Sequence, residues 1–523
     1  MSIAETALQS IPARFGEVAA RYADAPCVVG DFGQWTFAAI SRYADALAAE
    51  LLEAGLRPGD RVGLLCPNGA AFVAAYLGVL KAGGSLVPLN WMLHPKEMAF
   101  ILQDAGAVAL FYHRDLAVQA EDEAIADLRL PIGLALAAEP DVTNLLPEQG
   151  RSASARSDST SLDPGAHPAA ILYTSGTTGR PKGAVLTHRN LLSNTAAVAA
   201  ALALRPGRDR VLVVLPMFHA FAATVGVLTP LLHGLSILPV TRFDPRLVSQ
   251  AIALHGASVF LGVPSMYQLL LRVADAVQGQ WQGVRFAVSG GAALPVPVLE
   301  AFEARFGVPI LEGDGPTECG PVTCVNPLEG PRKSGSVGLP LPGVAMSIRD
   351  SAGRDLPAGE LGEVCVRGPS VMRGYWGQPN ATAEAFYGDW FRTGDLGQRD
   401  ADGYYYLVDR IKDLIICNGV NLYPRAIEEV LHRHPEVAEV AVVGEAHRLH
   451  GEIPIAYLVC AAGAELQANA LRAWCRGQLG VHEVPRRFVF REALPRNAAG
   501  KVLKRELRRA GEFERGVDLP PGS

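Results

Sequence analysis

The sequence has no excess of basic charge and no metal-binding cysteine pattern, and each absence excludes a class of function. Lys and Arg number 47 against 53 Asp and Glu, for a net charge of -6, so the chain lacks the positive surface that nucleic acids require. The eight cysteines are scattered without a CxxC pair or a Cys/His cluster, which argues against a zinc site or a disulfide framework. No nucleic-acid partner is expected.

Long hydrophobic runs are also missing. The most apolar stretch, residues 225–240, is broken by Pro230 and Pro239, and it falls short of the ~20 apolar residues that a membrane helix needs. The first 22 residues carry Glu5 and Arg14 in place of an apolar core, so they predict an amphipathic helix and not a signal peptide. We therefore expect a cytoplasmic protein with no transmembrane segment.

The patterns along the 523 residues predict several folding units. Helical and strand patterns alternate over residues 37–89 and again over 190–289, which indicates an α/β fold of mostly parallel sheets packed with helices. Short strands punctuated by Gly and Pro follow residue 330 and predict a small β-rich subdomain. A compact α+β pattern begins near residue 410. We predict an N-terminal domain of residues 1–409 and a small C-terminal domain of residues 410–523.

A loop of glycines and hydroxyl groups, closed by a lysine, is the strongest functional signal. Residues 173–183 read YTSGTTGRPKG, and such a loop offers backbone N–H groups and hydroxyls to an anion, with Lys182 adding positive charge. It is not the P-loop of nucleotide triphosphatases, since Gly183 follows Lys182 where that motif has Ser or Thr. The candidate phosphate-binding residues are Thr174, Ser175, Gly176, Thr177, Thr178, Gly179 and Lys182.

Two later segments suit a nucleotide and a metal ion. Residues 288–294 read VSGGAAL, and these small residues would let a flat base lie against the backbone. Residues 311–318 read LEGDGPTE, where Thr317 can donate to a phosphate and Glu318 is a hard oxygen ligand of the kind that holds Mg²⁺. Taken singly, the first segment is also read as a strand-to-helix turn and the second as a helix start.

Two segments nearer the end of the chain suit a ribose and an anion. Residues 390–396 read WFRTGDL and present Asp395, which can accept both ribose hydroxyls, while Arg410 follows as a second candidate. Residues 494–504 read LPRNAAGKVLK and place Lys501 after a glycine, from where it can reach an anion in a cleft. A turn aspartate and a surface lysine are the ordinary alternatives.

The order of these segments resembles the family of acyl-adenylating enzymes. That family includes acyl-CoA synthetases, firefly luciferase and nonribosomal peptide adenylation domains, and the resemblance, closest to bacterial fatty-acyl-CoA synthetases, runs from about Trp35 to Leu507. It implies that a carboxylate attacks the α-phosphate of ATP to give acyl-AMP and pyrophosphate. A thiol such as CoA then takes the acyl group and releases AMP.

The resemblance also implies residue roles. The glycine-rich loop would hold the β- and γ-phosphates, Glu318 and Thr174 would hold Mg²⁺, and Asp395 with Arg410 would bind the ribose. Lys501 would bridge the carboxylate and the α-phosphate, which makes it the expected catalytic lysine beside Glu318. The residues expected around the adenine and α-phosphate are Gly290, Gly291, Ala292, Asp314, Gly315 and Thr317.

The family moves its C-terminal domain between the two half-reactions, which implies a hinge at Lys412. The movement would withdraw Lys501 and bring in the loop at 417–424, where Gly419 would let the pantetheine arm pass. Two positions depart from the family pattern. Asp314 stands where Tyr is usual, which puts the stacking of an aromatic ring on adenine in question, and Asp409 stands where Gly is usual, which would stiffen the hinge.

The segment at 216–226, PMFHAFAATVG, bears on the acid. It contains no Asp or Glu, so a free amino acid is disfavoured because its ammonium group would lack a partner. His219 is the candidate for the carboxylate end. Room for an apolar tunnel, which suits a fatty acid, is predicted beside Ala220, Ala222, Ala223 and Gly226.

Several alternatives stay open. An aryl acid of the benzoate or cinnamate type would also use an apolar pocket. Free CoA is the expected acceptor, while a separate acyl carrier protein is the alternative partner. A non-catalytic nucleotide sensor is disfavoured by Lys501, Glu318 and Asp395. The sequence leaves a homodimer open.

Overall fold

The computed structural model describes residues 9–31, 33–126, 132–136, 163–174, 180–461, 463–464, 466–496 and 500–513. The chain divides into two compact units. The first comprises residues 1–294, 299–346 and 366–391, and the second comprises residues 295–298, 347–365 and 392–523. Among the described residues, none of the helices combines the length and the apolar character that crossing a bilayer requires.

The strands of the described part follow one another in chain order. They are β1 Pro26–Gly30, β2 Gly33–Thr36, β3 Arg61–Leu65, β4 Ser85–Pro88, β5 Ala107–His113, β6 Ile132–Leu136, β7 Pro168–Thr174, β8 Lys182–Thr187, β9 Arg210–Val213, β10 Ser236–Pro239, β11 Val259–Gly262, β12 Phe286–Ser289, β13 Ile310–Asp314, β14 Cys324–Val325, β15 Leu339–Pro340, β16 Ala345–Arg349, β17 Gly362–Arg367, β18 Gly374–Tyr375, β19 Phe386–Tyr387, β20 Trp390–Arg399, β21 Tyr405–Arg410, β22 Ile415–Cys417, β23 Val420–Leu422, β24 Val437–His447, β25 Gly451–Cys460 and β26 Arg487–Phe490.

The α-helices alternate with these strands through most of the first unit. They are α1 Ile11–Arg21, α2 Phe37–Glu53, α3 Ala70–Lys81, α4 Pro95–Ala105, α5 Ala117–Ala120, α6 Glu123–Ala126, α7 His188–Ala201, α8 Thr229–His233, α9 Pro245–His255, α10 Pro264–Arg272, α11 Ala274–Val277, α12 Val296–Phe306, α13 Pro379–Glu384, α14 Pro424–His432, α15 Ala468–Arg476 and α16 Lys504–Phe513. A π-helix, Ala222–Leu228, leads directly into α8.

The first unit contains two large sheets. One has nine strands in the order β15-β14-β13-β12-β11-β9-β10-β1-β2, parallel from β13 to β1 and antiparallel at both edges. The other has seven strands in the order β18-β8-β7-β4-β3-β5-β6, with the hairpin β7–β8 antiparallel to each other. Parallel strands buried on both faces read as continuous apolar runs, as β4 and β11 do.

Close helix packing covers these sheets. The helix α3 has ten buried residues in a row, from Ala71 to Leu80, so it lies inside the unit and not on its surface. Gly78 lets α2 approach, because a Cβ there would lie 2.9 Å from Cβ of Leu47. The amphipathic α1 begins at Ser10, whose hydroxyl accepts a hydrogen bond from the N–H of Ala13.

Smaller sheets complete the fold. Strands β16-β17-β20-β19 form one sheet, with β21 paired to β20. In the second unit, strands β23-β22-β25-β24 form a sheet with β26 beside β25. The apolar faces of α14 and α15 pack on this sheet around Ile427 and Leu471, which are both fully buried. Burial of such side chains provides about 1.5–3 kcal/mol each.

The predicted α/β class with mostly parallel sheets and a β-rich part is confirmed. The α+β pattern predicted from about residue 410 agrees with the helices and strands found there, among them α14 and β25. The domain boundary at 409/410 stays a prediction. Five predicted phosphate-loop residues lie outside the described residues, namely Ser175, Gly176, Thr177, Thr178 and Gly179.

Candidate active site

The two ends of the glycine-rich loop are held opposite each other by the hairpin β7–β8. Thr174, the last residue of β7, is paired with Lys182, the first residue of β8. Gly183 makes this pairing tight, because a Cβ there would lie 2.7 Å from Cγ2 of Ile171 and 3.1 Å from the ring of Tyr173. The residues at which the loop begins and ends are therefore neighbours across the hairpin, which places the hydroxyl of Thr174 beside the ammonium group of Lys182.

A carboxylate lies against that point. The hydroxyl of Thr174 donates to Oε1 of Glu318 at 3.4 Å, and the phenol of Tyr375 donates to the same oxygen at 2.9 Å. The Nζ of Lys182 lies 5.1 Å from the centre of the Tyr375 ring, within the range of a cation–π interaction. Burial, followed by the charge of Glu318, raises the pKa of Tyr375, so the phenol stays protonated and donates.

Tyr375 reaches this position because its segment is fixed at several points. Strand β18 adds to the edge of the sheet beside β8, with Tyr375 opposite Ala184. The backbone N–H of Met372 donates to the carbonyl of Glu318 at 2.7 Å. The amide of Asn190, on α7, donates to the carbonyls of Pro369 and Val371 at 2.8 Å each. Glu318 and Tyr375 are therefore positioned together.

These groups fit a magnesium ion that arrives with nucleotide phosphates. Mg²⁺ takes one or two protein carboxylates and fills its other positions with water and phosphate oxygens. Glu318 supplies one carboxylate and Thr174 one hydroxyl, 3.4 Å apart. Within the described ranges, no three His, Cys, Asp or Glu side chains are grouped as a complete metal cage. The residues present thus suit a substrate-borne Mg²⁺ and not a tightly bound structural metal.

A cavity opens where β12 and β13 end. It has a volume of about 60 Å³ and its lining includes, besides Ala220, six residues predicted from the sequence for the nucleotide or for the carboxylate end of the acid. Parallel strands place their carboxyl ends at one edge, which is where α/β sheets bind ligands. The predicted residues in the lining are His219, Gly290, Gly291, Asp314, Gly315 and Thr317. Ala292, predicted with them, is exposed next to Gly291 and is absent from the lining.

Specific contacts shape this cavity. The hydroxyl of Tyr267 donates to the carbonyl of Val288 at 2.8 Å, and Oε1 of Glu312 accepts from the N–H of Leu294 at 2.9 Å. These bonds hold the glycine turn after β12 against β13. Gly315 is required for close approach, because a Cβ there would lie 1.7 Å from the carbonyl oxygen of Pro321.

The apolar tunnel predicted along residues 220–226 is wrong for most of that segment. Ala222, Ala223 and Gly226 lie on the π-helix and are buried, and none of them lines the cavity. A Cβ at Gly226 would lie 2.8 Å from Val213 and 3.3 Å from Leu261, so the space beside this glycine is filled by side chains of the sheet. Only Ala220 of the predicted set lines the cavity.

In the second unit, the predicted ribose pair is brought together. Asp395 and Arg410 stand opposite each other on β20 and β21. The Nε of Arg410 donates to Oδ1 of Asp395 at 2.6 Å, and a second guanidinium nitrogen donates to Oδ2 at 3.4 Å. A carboxylate has about four acceptor positions, so Asp395 keeps acceptor capacity for hydroxyl groups while Arg410 fixes its orientation.

The residues around Lys412 carry a hydrogen-bond network. Lys412 lies in the 3₁₀ turn Ile411–Asp413. Before the turn, Oδ1 of Asp409 accepts from the N–H of Arg410 at 2.8 Å, and Oδ2 accepts from the N–H of Arg425 at 2.9 Å. Arg425 also donates to the carbonyl of Leu407 at 2.6 Å. The aspartate that replaces the usual glycine thus caps the start of α14.

Lys501 lies on a short loop whose ends are joined. Arg496 and Val502 form an antiparallel bridge, and the guanidinium of Arg496 donates to the carbonyl of Gly500 at 2.6 Å. The same guanidinium makes an ion pair of 2.7 Å with Glu439 on β24. Gly500 has φ +82°, a value that favours glycine. The exposed Lys501 therefore stands on an anchored loop.

Gly419 belongs to a tight β-hairpin. Asn418 and Gly419 have φ of 52° and 79°, and they connect β22 to β23 with Cys417 opposite Val420. A two-residue turn with positive φ at both positions is the preferred link between twisted strands, and Asn-Gly is its preferred sequence. A Cβ at Gly419 would meet no atom within 4 Å, so the backbone conformation is what requires glycine within this unit.

Comparison with known proteins agrees with this geometry. The profile of the AMP-binding enzyme family matches residues 15–376, and that of the AMP-binding enzyme C-terminal domain matches residues 426–501. The chain belongs to the AMP-binding enzyme family. Among solved structures, ATP-bound MatB from Rhodopseudomonas palustris matches with a TM-score of 0.87 and 31% identity, over 96% of this chain and 99% of that one.

Curated relatives of this AMP-binding enzyme have different acids in their names. A sulfoacetate–CoA ligase of Cupriavidus necator is 39% identical, over 94% of this chain and 95% of the relative. A long-chain-fatty-acid–CoA ligase of Yersinia pestis is 35% identical, over 94% and 93%. A feruloyl-CoA synthase of an Amycolatopsis species is 36% identical, over 91% and 93%. The likeness supports an adenylate-forming CoA ligase that uses ATP and CoA, and it leaves the acid unassigned.

Sequence reasoning about this AMP-binding enzyme missed Tyr375. The signal was the run RGYWG at 373–377, in which two aromatic residues stand between glycines. The pairing that places Tyr375 beside Lys182 joins strands almost two hundred residues apart in the chain, and local periodicity carries no information about it.

Proposed function

We propose that this AMP-binding enzyme is an ATP-dependent acid–thiol ligase acting in two half-reactions. In the first, an oxygen of the carboxylate bonds to the α-phosphorus of ATP while the bond to pyrophosphate breaks, which gives acyl-AMP. In the second, the sulfur of CoA bonds to the acyl carbon while the bond to AMP breaks, and the thiol proton is lost to solvent. Such chemistry depends on positioning and on stabilising charge, so it needs no covalent enzyme intermediate.

One observation supports this proposal above all: two residues that are adjacent in the chain, Thr317 and Glu318, connect the cavity with the residues of the phosphate loop. Thr317 lines the cavity, while Glu318 is contacted by Thr174 and Tyr375 at the end of the phosphate loop. The cavity residues at 290–291 and 314–317 would hold the adenine and the α-phosphate, and a carboxylic acid in the apolar part of the cavity would direct its carboxylate towards that phosphate. A ligase that joins a carboxylate to the α-phosphate requires this adjacency.

The chain's residues have distinct roles in this proposal. Thr174, Lys182 and the loop between them bind the β- and γ-phosphates. Glu318, oriented by Tyr375, holds Mg²⁺, which when bound neutralises phosphate charge. His219 faces the carboxylate end of the acid, and its Nδ1 accepts from the N–H of Phe221 at 3.4 Å. With Nδ1 accepting, the proton of the neutral ring is on Nε2, which can donate to a carboxylate.

The roles in the second unit are proposed on the same basis. Asp395 and Arg410 bind the ribose hydroxyls, with the carboxylate already aligned by the guanidinium. Lys501 neutralises the carboxylate and the α-phosphate during adenylation. Lys412 is the hinge at which a C-terminal domain of residues 410–523 changes orientation, and Gly419 lies on the loop that admits the pantetheine arm.

The cavity bears on the acid. Its side walls are apolar, formed by Val198, Leu202, Val225, Val288, Val322, Val325 and Leu341. An apolar acid such as a fatty acid fits this lining. An aryl acid is the second candidate, because an aromatic ring also suits an apolar lining. A free amino acid is disfavoured for want of acidic residues at 216–226.

The acid is identified by measuring pyrophosphate release and thioester formation from ATP, Mg²⁺ and CoA with acids from acetate to palmitate, together with benzoates and cinnamates. We expect an optimum among the aliphatic acids. An optimum among the benzoates or cinnamates would favour the aryl-acid alternative, and release of pyrophosphate with none of these acids would contradict the ligase proposal. Adenylate formation without a CoA thioester would instead favour an acyl carrier protein as acceptor.

A matched pair of variants tests the cavity itself. Val225 and Val227 are both buried on the same π-helix, but only Val225 lines the cavity. Both Val→Ala changes remove the same two methyl groups and should destabilise the fold to a similar extent. Only Val225→Ala should move the optimum towards larger acids. An equal shift in both variants would mean that this cavity does not bind the acid.

A further inference from the structure

Three histidines surround the Asn-Gly turn of the hairpin β22–β23. The Oδ1 of Asn418 lies 2.8 Å from Nδ1 of His450, and the Nδ2 of Asn418 lies 3.5 Å from Nδ1 of His482. The rings of His447 and His450 stack at 4.7 Å with an angle of 19°. The backbone N–H of Asn418 also donates to the carbonyl of His450 at 2.8 Å. One asparagine therefore holds the ends of three separate segments together.

The hydrogen bonds determine which ring nitrogens carry protons. An amide oxygen only accepts, so Nδ1 of His450 must donate to Asn418. Nδ1 of His482 accepts from the amide nitrogen of Asn418, and Nδ1 of His447 accepts from the N–H of Leu449 at 3.2 Å. In their neutral forms, His447 and His482 thus carry a proton on Nε2. The Nε2 of His450 becomes a third donor when that ring is protonated.

The charges around the cluster are predominantly positive. Partial burial and then the charges of His447, Arg486 and His482 lower the pKa of His450. Two carboxylates lie near these segments, and both accept backbone hydrogen bonds: Glu452 from the N–H of Ile416 at 2.9 Å and Glu483 from the N–H of Gly480 at 2.7 Å. An anion that reached the cluster would relieve the repulsion and favour the protonated ring.

Exposed apolar side chains come from the same three segments. Leu449 is 73% exposed and Val481 is 82% exposed, each next to one of the histidines in sequence. Ile416 and Val420, which flank the turn, are about half exposed. The surface therefore combines proton donors with apolar contacts, which suits a ligand that has phosphate groups on a partly apolar body.

We propose that His450 and His482, which contact Asn418, and His447, which stacks on His450, bind the phosphate groups of CoA. This inference rests on the proposed function, in which the adjacent Gly419 loop admits the pantetheine arm. The diphosphate and the 3′-phosphate of CoA are strong acceptors for charge-assisted hydrogen bonds. The exposed leucine and valines can contact the pantetheine and adenine groups. A carrier protein would bring a single phosphodiester on the same arm, which makes fewer such bonds.

A basic cluster near the end of the chain is a weaker candidate for the same phosphates, and it contains Lys501, Lys504, Arg505 and Arg508. Two of its cations are already paired, since Lys504 contacts Glu428 at 2.8 Å and Arg508 contacts Asp413 at 3.1 Å. Lys504 is held between Glu428 and Asp409, which together raise its pKa although burial alone would lower it. Lys504 and Arg508 therefore form ion pairs within the second unit, while Arg505 is exposed.

The test measures the KM for three thiols, namely CoA, dephospho-CoA and pantetheine, at saturating ATP and acid. His450→Gln and His482→Gln should each raise the KM for CoA about tenfold, the loss expected for one charge-assisted hydrogen bond. The KM for pantetheine, which has no phosphate, should not change. The KM for CoA should also fall as the pH is lowered from 8 to 6, and His450→Lys, with its permanent charge, should remove that dependence.

Two controls make the outcome decisive. His434→Gln changes a histidine of the same unit that packs on Trp474 and should leave all three KM values unchanged. Pyrophosphate release without CoA should be normal in every variant, because adenylation precedes the thiol. An unchanged KM for CoA in the His450 and His482 variants would overturn the proposal, as would an equal rise with pantetheine. A rise in the KM for CoA that is confined to Arg505→Gln would indicate that the phosphates of CoA bind at α16.

Failure of the proposed function would look different. In that case the unaltered protein would release no pyrophosphate with any acid. Calorimetric titration of CoA into the same variants then measures their affinity for CoA, which tests the phosphate-binding proposal without any catalytic turnover. Binding that is weakened by His450→Gln and not by His434→Gln would support it, and binding equal in all variants would overturn it.

Discussion

Replacing Tyr375 with phenylalanine tests the arrangement at the phosphate loop most directly. The phenol donates to Glu318 at 2.9 Å, and Glu318 also accepts from the hydroxyl of Thr174. The substitution removes a single oxygen and keeps the ring, so the contact of Lys182 with the ring face at 5.1 Å is retained. Any loss of activity then reports on the orientation of Glu318.

The magnitude follows from the environment of the bond. A hydrogen bond to a charged group is worth about 1.5–3 kcal/mol, and both partners here are only partly buried, which favours the lower value. About 1.4 kcal/mol corresponds to a factor of ten. We therefore expect Tyr375→Phe to lower the rate of pyrophosphate release about tenfold, with a higher Mg²⁺ concentration needed for half-maximal rate.

The assay is pyrophosphate release in the absence of CoA, measured across a Mg²⁺ titration. Tyr406→Phe is the matched control, because its phenol also donates to a carboxylate, that of Asp400, at 3.3 Å in the second unit. The control should keep the normal Mg²⁺ dependence. The reasoning is refuted if Tyr375→Phe shows the rate and Mg²⁺ dependence of the unaltered protein while its fold is intact.

Four further outcomes are expected. Lys501→Ala should slow adenylation far more than the transfer of a preformed acyl-AMP to CoA, which single-turnover assays of each half-reaction will separate; equal losses would argue against the assigned role. Asp395→Asn should raise the KM for ATP about tenfold, since one charge-assisted hydrogen bond to the ribose is weakened, while the KM for the acid stays constant. Gly419→Ala should cost about 1–2 kcal/mol in urea unfolding, because φ of 79° strains a residue with a side chain; an unchanged midpoint would show that the turn relaxes. Burial and the neighbouring His167 lower the pKa of His188 to about 3, so below about pH 6.5 the unfolded chain binds a proton that the folded chain does not. The free energy of unfolding should therefore fall by about 1.4 kcal/mol per pH unit below that value, and His188→Gln should flatten this dependence.

Much of the candidate site could be predicted because its residues follow recognisable strand ends. Thr174 closes an apolar strand, and the glycine turn at 290–291 follows another, so both had to lie at an edge of a sheet. The Asp395–Arg410 pair was also predicted, and the hairpin β20–β21 places the two residues opposite each other. Local sequence is sufficient to predict the position of a residue that lies at the end of a strand or in a hairpin.

The errors concern contacts between distant segments. Small residues at 222–226 suggested empty space, but side chains of β9 and β11 fill it, and no property of the segment itself shows which neighbour will pack there. Tyr375 was missed because its place depends on a strand added at the edge of a sheet. The turn at 418–419 had a strong local signal in its Asn-Gly sequence, and its hairpin geometry could have been predicted.

The capping carboxylate of Asp409 has a consequence for the timing of catalysis. If the chain pivots at Lys412, the bonds from Arg425 to Asp409 and to Leu407 span the pivot and must break whenever it turns. These bonds would then have to open and re-form in every cycle. Glycine at 409 would remove one of them, so such a chain would turn at Lys412 more readily.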